Sequence, residues 1–284
     1  MTLDQQLKTN IRVILAGLVG NVIEWYDFAL YGYFASTIGK QFFPSNNPSI
    51  SLIAAFGAFA VGFLVRPLGG LFFGRIGDLI GRKQALMLTL FSMAIPTILM
   101  ACMPTYNSIG IAAPILIVLL RILQGLSVGG EYTTSIVYLV ENAPKQRRAF
   151  FAIWGLWGAV LGILLASAMA SLLANNLNQL QLNMWGWRVP FALGTLVAVV
   201  GLLIRRSLVN DVSIEVSGNP VLEVFGEHRN SVLRLFLLNI GSGVAFYSAF
   251  VYVVSYVKEI DQLPERIALN LNTLAMGSLL LIYP

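Results

Sequence analysis

The stretch Phe191-Ala192-Leu193-Gly194-Thr195-Leu196-Val197-Ala198-Val199-Val200-Gly201-Leu202-Leu203-Ile204 decides the fold class. It is apolar nearly throughout, as is Ile111 to Leu120, and neither shows the two-residue alternation of a membrane strand. Such runs are helical. The whole chain agrees: 57% of its 284 residues are hydrophobic, 11% are charged and the mean hydropathy is +0.77. That profile excludes a water-soluble globule. At ~20 residues per span, eight spans use ~160 positions, about 56% of the chain, close to the hydrophobic fraction itself. An all-α polytopic membrane protein follows.

Outward from that run, polar breaks divide the chain into expected spans at 11–38, 50–73, 84–103, 111–138, 150–174, 188–205, 232–257 and 267–284. With the N-terminus inside, the inner segments carry 12 Lys and Arg and the outer segments 4, so the positive-inside rule predicts a cytoplasmic N-terminus and an inner-membrane location. The polar N-terminus, Met1 to Asn10, has no cleavage-site pattern after a short apolar core, so the first helix reads as an uncleaved span. The basic balance, 18 Lys and Arg against 13 Asp and Glu, contains no tract suited to a phosphate backbone, so no nucleic acid is expected. Cys102, the single cysteine, reads as a packing residue.

The longest polar stretch, 207–230, holds the only histidine, His228, and separates six spans from two. It reads as a cytoplasmic linker between a six-helix bundle, 1–206, and the start of a second, 231–284. Residues 25–31 and 246–252 echo each other, with tyrosines at matching places, as an internally repeated transporter would require. The chain stops at Pro284 straight out of an apolar run, which reads as a second bundle cut short. On that reading, a polar face bearing Asn239, Ser242, Tyr247 and Asn270 meets lipid or nothing.

Gly74-Arg75-Ile76-Gly77-Asp78-Leu79-Ile80-Gly81-Arg82-Lys83, between the second and third spans, combines turn-forming glycines with one acid and three cations. It resembles the signature loop of the major facilitator superfamily. Four further stretches carry the resemblance to the metabolite:proton symporters of that superfamily, the branch of proline/betaine, α-ketoglutarate, shikimate and citrate carriers. These are Gly20-Asn21 with Glu24-Trp25-Tyr26-Asp27-Phe28; Arg66-Pro67-Leu68-Gly69; Arg121-Ile122-Leu123-Gln124-Gly125-Leu126-Ser127-Val128-Gly129-Gly130-Glu131; and Trp185-Gly186-Trp187-Arg188-Val189-Pro190-Phe191. The resemblance implies a major facilitator fold with a complete N-terminal bundle. It also implies that Gly74, Asp78, Gly81, Arg82 and Lys83 serve gating, and that Glu141 is a cytoplasmic relay acid whose partner lies in the second bundle. Leu79 stands where the family usually has a basic residue.

Five ionisable residues fall inside spans: Glu24, Asp27, Arg66, Arg121 and Glu131. Each costs roughly 2.5–3.5 kcal/mol at mid-bilayer unless it is paired or wetted. Glu24 and Asp27, three apart, share a helix face, and Glu24, like Glu131, is a further candidate proton-coupling acid. Asp27 and Arg121 lie about 16 and 15 Å below the same membrane face at 1.5 Å per residue, so they can meet. An arginine keeps a neighbouring carboxylate ionised, and withdrawing it lets a proton bind, which makes the pair a workable coupling switch. The resemblance assigns the same part to an acid of helix one and the arginine of helix four. Arg121 alternatively anchors a substrate carboxylate, and a structural ion pair is the plainer reading. Glu131, about 15 Å deeper on the fourth span, matches Arg66 in depth. That pair reads as a gate, a proton relay or a structural bridge. Gln124, Tyr31, Trp154, Trp157, Tyr247 and Tyr252 are candidate cavity-lining residues, against the commoner aromatic packing.

Gly125 to Gly129 matches G-x-S-x-G, but a nucleophile elbow needs a strand-turn-helix and a nearby base, so no enzyme is expected. The same glycines, with Gly70/Gly74 and Gly158/Gly162, suit close helix crossings. No phosphate-binding loop, cofactor motif or metal-ligand spacing appears. The expected function is proton-coupled symport of a small carboxylate-bearing metabolite, with lipid as the other partner. The competing expectation is a truncated, non-transporting receptor or scaffold. A channel lacks any filter sequence.

Overall fold

The computed structural model describes residues 3–206, 226 and 229–282, and the described residues are almost entirely helical. The helices are α1 (Leu3–Tyr33), α2 (Ala35–Phe42), α3 (Pro48–Leu64), α4 (Arg66–Ile80), α5 (Arg82–Cys102), α6 (Ala112–Glu141), α7 (Arg148–Asn176), α8 (Arg188–Arg206), α9 (Arg229–Tyr247), α10 (Val253–Glu259) and α11 (Glu265–Ile282). Single π-turns precede α8, at Leu182–Gly186, and join α9 to α10, at Ser248–Tyr252. Seven stretches among the described residues are long and apolar enough to cross a membrane. The eighth expected span is present as α11, which is not one of the seven. Most of the expected linker, 207–225 and 227–228, lies outside the described residues.

Two boundaries differ from expectation for identifiable reasons. The second span is two helices, broken at Val65 just before Arg66-Pro67, because a proline has no N–H to continue the ladder. The signature loop is hardly a loop. Its first seven residues complete α4, and the turn is confined to Gly81, whose φ of 100° suits a residue without a Cβ.

Small residues set the spacing of the bundle. A Cβ on Gly69 would lie 1.9 Å from the Leu126 carbonyl oxygen, one on Gly125 2.0 Å from that of Gly62, and one on Gly129 1.9 Å from that of Arg66. These contacts lock α3 and α4 onto α6. Gly158 and Gly162 do the same between α7 and α1. Of the expected Gly70/Gly74 crossing, Gly70 faces the Gly129 carbonyl oxygen of α6 at 3.5 Å while Gly74 has nothing within 4 Å of a built Cβ, and the closest approach is made by Gly69. Cys102 is exposed at the end of α5 rather than packed in the bundle as expected.

The last three helices meet the first bundle at the end remote from Gly81. Tyr33 donates to the Phe250 carbonyl at 3.3 Å and accepts from Asn272 at 2.8 Å. Ser36 donates to Glu259, and Lys258 pairs with Glu265 at 2.9 Å. Toward the signature-loop end the contact ends, and α9 has no buried residue. Of the polar face expected to stay unpartnered, Asn239 and Ser242 are exposed and bond to carbonyls of their own helix. Asn270 instead accepts from Ser171 and Asn175 of α7, and Tyr247 packs on Phe63 at 4.9 Å between centroids. The first bundle therefore supplies neighbours for Asn270 and Tyr247, where the sequence reading left lipid or nothing.

Candidate functional site: buried charge in a helical bundle

Asp27 is 1% exposed and has three donors. Gln124 Nε2 lies 2.7 Å from Oδ2, Thr97 Oγ1 2.8 Å from Oδ1, and Arg121 Nη2 3.4 Å from Oδ2. Thr97 follows Pro96, whose missing N–H removes one ladder bond within α5, and the Met93 carbonyl, 2.9 Å from its hydroxyl, is the alternative acceptor for its one proton. The two short bonds come from neutral groups and the long one from the cation. Withdrawing the arginine therefore leaves the carboxylate hydrogen-bonded but without its countercharge. Arg121 lies over the Tyr31 ring, 4.3 Å from its centroid, and Tyr31 donates to the Ala55 carbonyl at 3.1 Å. The depth match read from the sequence corresponds to a real contact, and Gln124 and Tyr31 join it.

Glu131 does not meet Arg66. Its partner is Arg205, which donates from Nη1 to Oε2 at 2.9 Å and from Nη2 to Oε1, while Thr89 adds a bond of 2.6 Å. Arg205 also reaches the Leu86 carbonyl at 2.5 Å and the Ala16 carbonyl at 3.3 Å. One buried pair thus ties α1, α5, α6 and α8 together. Gly20 makes room for it, since a Cβ there would lie 1.9 Å from Glu131 Oε1 and 2.0 Å from Arg205 Nη2. The sequence reading missed Arg205 because, at the end of an apolar run, it looks like an orientation charge.

Arg66 turns instead into aromatic rings, with Cζ 3.7 Å from the Phe63 centroid, 4.3 Å from Phe28 and 5.2 Å from Trp25. Glu24 is 2% exposed, and neither of its oxygens has a partner. The shared face of Glu24 and Asp27 therefore carries one fully bonded carboxylate and one bare one.

At the signature-loop end, Arg82 pairs with Asp78 at 2.7 Å and binds Glu141 through Nε and Nη2, both at 3.3 Å. Among the described residues, Glu141 thus has Arg82 of the first bundle as its partner. Lys83 donates to the Arg206 carbonyl at 3.2 Å, placing a cation at the C-terminus of α8, where the helix dipole favours it. A Cβ on Gly77 would lie 2.8 Å from Arg82 Nη1, so that glycine accommodates the cation's path.

Trp154 is not near Asp27. It packs on the cluster of Val13, Tyr138, Leu139 and Phe151 and against Trp157, 5.5 Å away between centroids. Tyr252 packs on Phe56 at 5.7 Å. Tyr247 stacks at 6.3 Å on Trp25, so the two echo segments found in the sequence face each other. Ser127, the centre of the G-x-S-x-G match, sits within α6 and donates to the Thr89 carbonyl at 2.5 Å. That is helix-to-helix bonding on a regular helix, not an elbow.

A profile of sugar (and other) transporters matches residues 13–209. The sequence is 36% identical over 262 residues to the proline/betaine transporter of Salmonella typhimurium, covering 87% of this chain and 52% of that protein. It is 35% identical over 283 residues to the shikimate transporter of Escherichia coli, covering 96% of this chain and 65% of that protein. The solved structure of the xylose transporter from E. coli, in a partially occluded inward-open conformation, matches with a TM-score of 0.69 at 17% identity. That match covers 95% of this chain and 70% of the other. At such identity it bears on the fold alone. The chain thus spans about half to two thirds of the length of these curated relatives.

Proposed function

The chain belongs to the sugar (and other) transporter family of the major facilitator superfamily, and from that membership we propose that it takes part in proton-coupled symport of a small carboxylate-bearing metabolite. The substrate is a zwitterion of the betaine or proline kind or an organic acid, classes spanned by the relatives' transport of proline, betaine and shikimate. The bundle 1–206 and a second one beginning at 231 are the two bodies that rock about a midplane site, with 207–230 as their linker. The protein lies in the inner membrane with its N-terminus inside, consistent with the 12 to 4 distribution of basic residues.

The observation that carries this reading is the Asp27 shell. A carboxylate enclosed by Thr97, Gln124 and a longer-range Arg121 is poised between two states. With Arg121 in place the charge is compensated. When rocking draws Arg121 away, an uncompensated buried carboxylate is costly, and a proton takes over the compensation. Return of Arg121 expels that proton on the other side. The Glu131–Arg205 pair, saturated with bonds, is the fixed part of the same bundle, and Arg82 with Asp78 and Glu141 fastens its signature-loop end.

Cells expressing the gene are expected to accumulate labelled glycine betaine, proline or shikimate above matched cells lacking it, and an uncoupler should collapse that accumulation. Accumulation unaffected by the uncoupler would refute proton coupling, and failure to take up any of the three would refute the substrate class.

A further inference from the structure

Where α1, the α3–α4 break and α9 come together, several buried polar atoms have no partner: both carboxylate oxygens of Glu24, Nε1 of Trp25, and Nε and Nη2 of Arg66, with the Tyr247 hydroxyl beside the Arg66 guanidinium. They belong to one locus. Arg66 and Tyr247 flank the same two rings, Arg66 at 3.7 and 5.2 Å from the centroids of Phe63 and Trp25, Tyr247 at 4.9 and 6.3 Å. Glu24 adjoins Trp25 in the chain and lies within the electrostatic reach of Glu131, Arg66 and Arg205, but its carboxylate forms an ion pair with none of them. Asp27 and Glu131, the neighbouring acids, are both saturated by protein donors. The bare groups are thus a distinct set.

Opposite charges buried near each other and left unpaired are unfavourable unless something else bridges them. The chemistry of the set specifies the bridge. A guanidinium held by ring faces, with in-plane N–H groups unused, suits a carboxylate. A bare carboxylate beside the stacked Trp25 and Tyr247 rings, 24° apart, suits a protonated or quaternary nitrogen. Both helix segments are irregular here, by the break at Val65 and by the π-turn that begins at Ser248, the kind of distortion that recurs at functional sites.

We propose that Arg66, Glu24, Trp25 and Tyr247 form the substrate site and that its ligand is a zwitterion, with the carboxylate on Arg66 and the cationic nitrogen on Glu24 and the two rings. This rests on the transport reading and deepens it: Arg66 anchors the substrate, and Arg121 is left to Asp27 and the proton. Tyr247, the member contributed by α9, lets the ligand bridge the first bundle and the start of the second, so binding is coupled to their relative movement.

The test is equilibrium dialysis of the detergent-purified chain with labelled glycine betaine and labelled shikimate. Arg66→Gln should weaken both probes at least tenfold. Glu24→Gln should weaken glycine betaine at least tenfold and leave shikimate, which has no cationic nitrogen, within threefold. Since a buried charge variant can misfold, Tyr247→Leu, which removes one ring face and no charge, should weaken glycine betaine threefold or more. Glycine betaine should also change the tryptophan emission of the parent protein but not that of Trp25→Phe. A folded Arg66→Gln protein binding both probes within threefold of the parent would overturn the proposal, as would tighter parent binding of shikimate than of glycine betaine. Parent protein that binds neither probe would overturn the transport reading together with this site.

Discussion

Replacing Arg205 by Met tests the central structural argument, that the Glu131–Arg205 pair holds four helices together. Glu131 would lose two charge-assisted bonds, one of 2.9 Å, and keep only the Thr89 hydroxyl at 2.6 Å. At about 1.5–3 kcal/mol for each bond to a charged group, the loss is about 3–6 kcal/mol. The measured cost of breaking a buried pair from one side, about 3–5 kcal/mol, falls in the same range. The Leu86 and Ala16 carbonyls lie in regular helix and retain their ladder bonds, so they add little. At about 2–4 °C per kcal/mol for a chain of this order of size, the midpoint of thermal unfolding should fall by about 6–20 °C. The double variant Glu131→Leu with Arg205→Met removes both charges and should recover most of the loss, because an apolar replacement of a buried pair is often neutral. The assay is thermal unfolding in detergent, followed by tryptophan emission. A single variant within 2 °C of the parent, or a double variant no better than the single one, would show that the pair is not what holds this end together.

Asp27→Asn is isosteric, with its oxygen free to accept from Gln124 and its amide to donate to Thr97, but it removes the titrating group, so proton-driven accumulation should be abolished while substrate exchange survives; accumulation at the parent level would make the pair purely structural. Gly69→Ala, whose Cβ would meet the Leu126 carbonyl oxygen at 1.9 Å, should sharply reduce the yield of monodisperse protein, whereas Gly74→Ala, with open space around it, should not. Size-exclusion profiles of the two variants distinguish them, and equal profiles would refute the close-crossing argument. Cysteine introduced at Arg75 or Lys83 should be shielded from impermeant thiol reagents in intact cells; ready labelling from outside would reverse the proposed orientation.

The sequence by itself determined the helices and the depth of each charge along them. Apolar run length sets how many residues can cross, and a rise of 1.5 Å per residue converts position into depth, so Asp27 and Arg121 were matched before any coordinates. Gly81 was legible as a turn and Asp78 and Arg82 as one charged group, because those features act within a few residues. Depth says nothing of direction around the helix axis, and that is where the tertiary structure decided. Arg66 and Glu131 agree in depth, yet Arg66 faces Phe63 and Phe28, and Arg205, four helices along, reaches Glu131 across the space left by Gly20. Glu141 finds Arg82 because α4, α5 and α6 end together. Bare Glu24 and bonded Asp27 stand on one helix face, and only the neighbours folded against each made them different. Partner choice depends on helix rotation and on which helices are adjacent, and these are properties of the assembled bundle, which no local pattern of residues encodes.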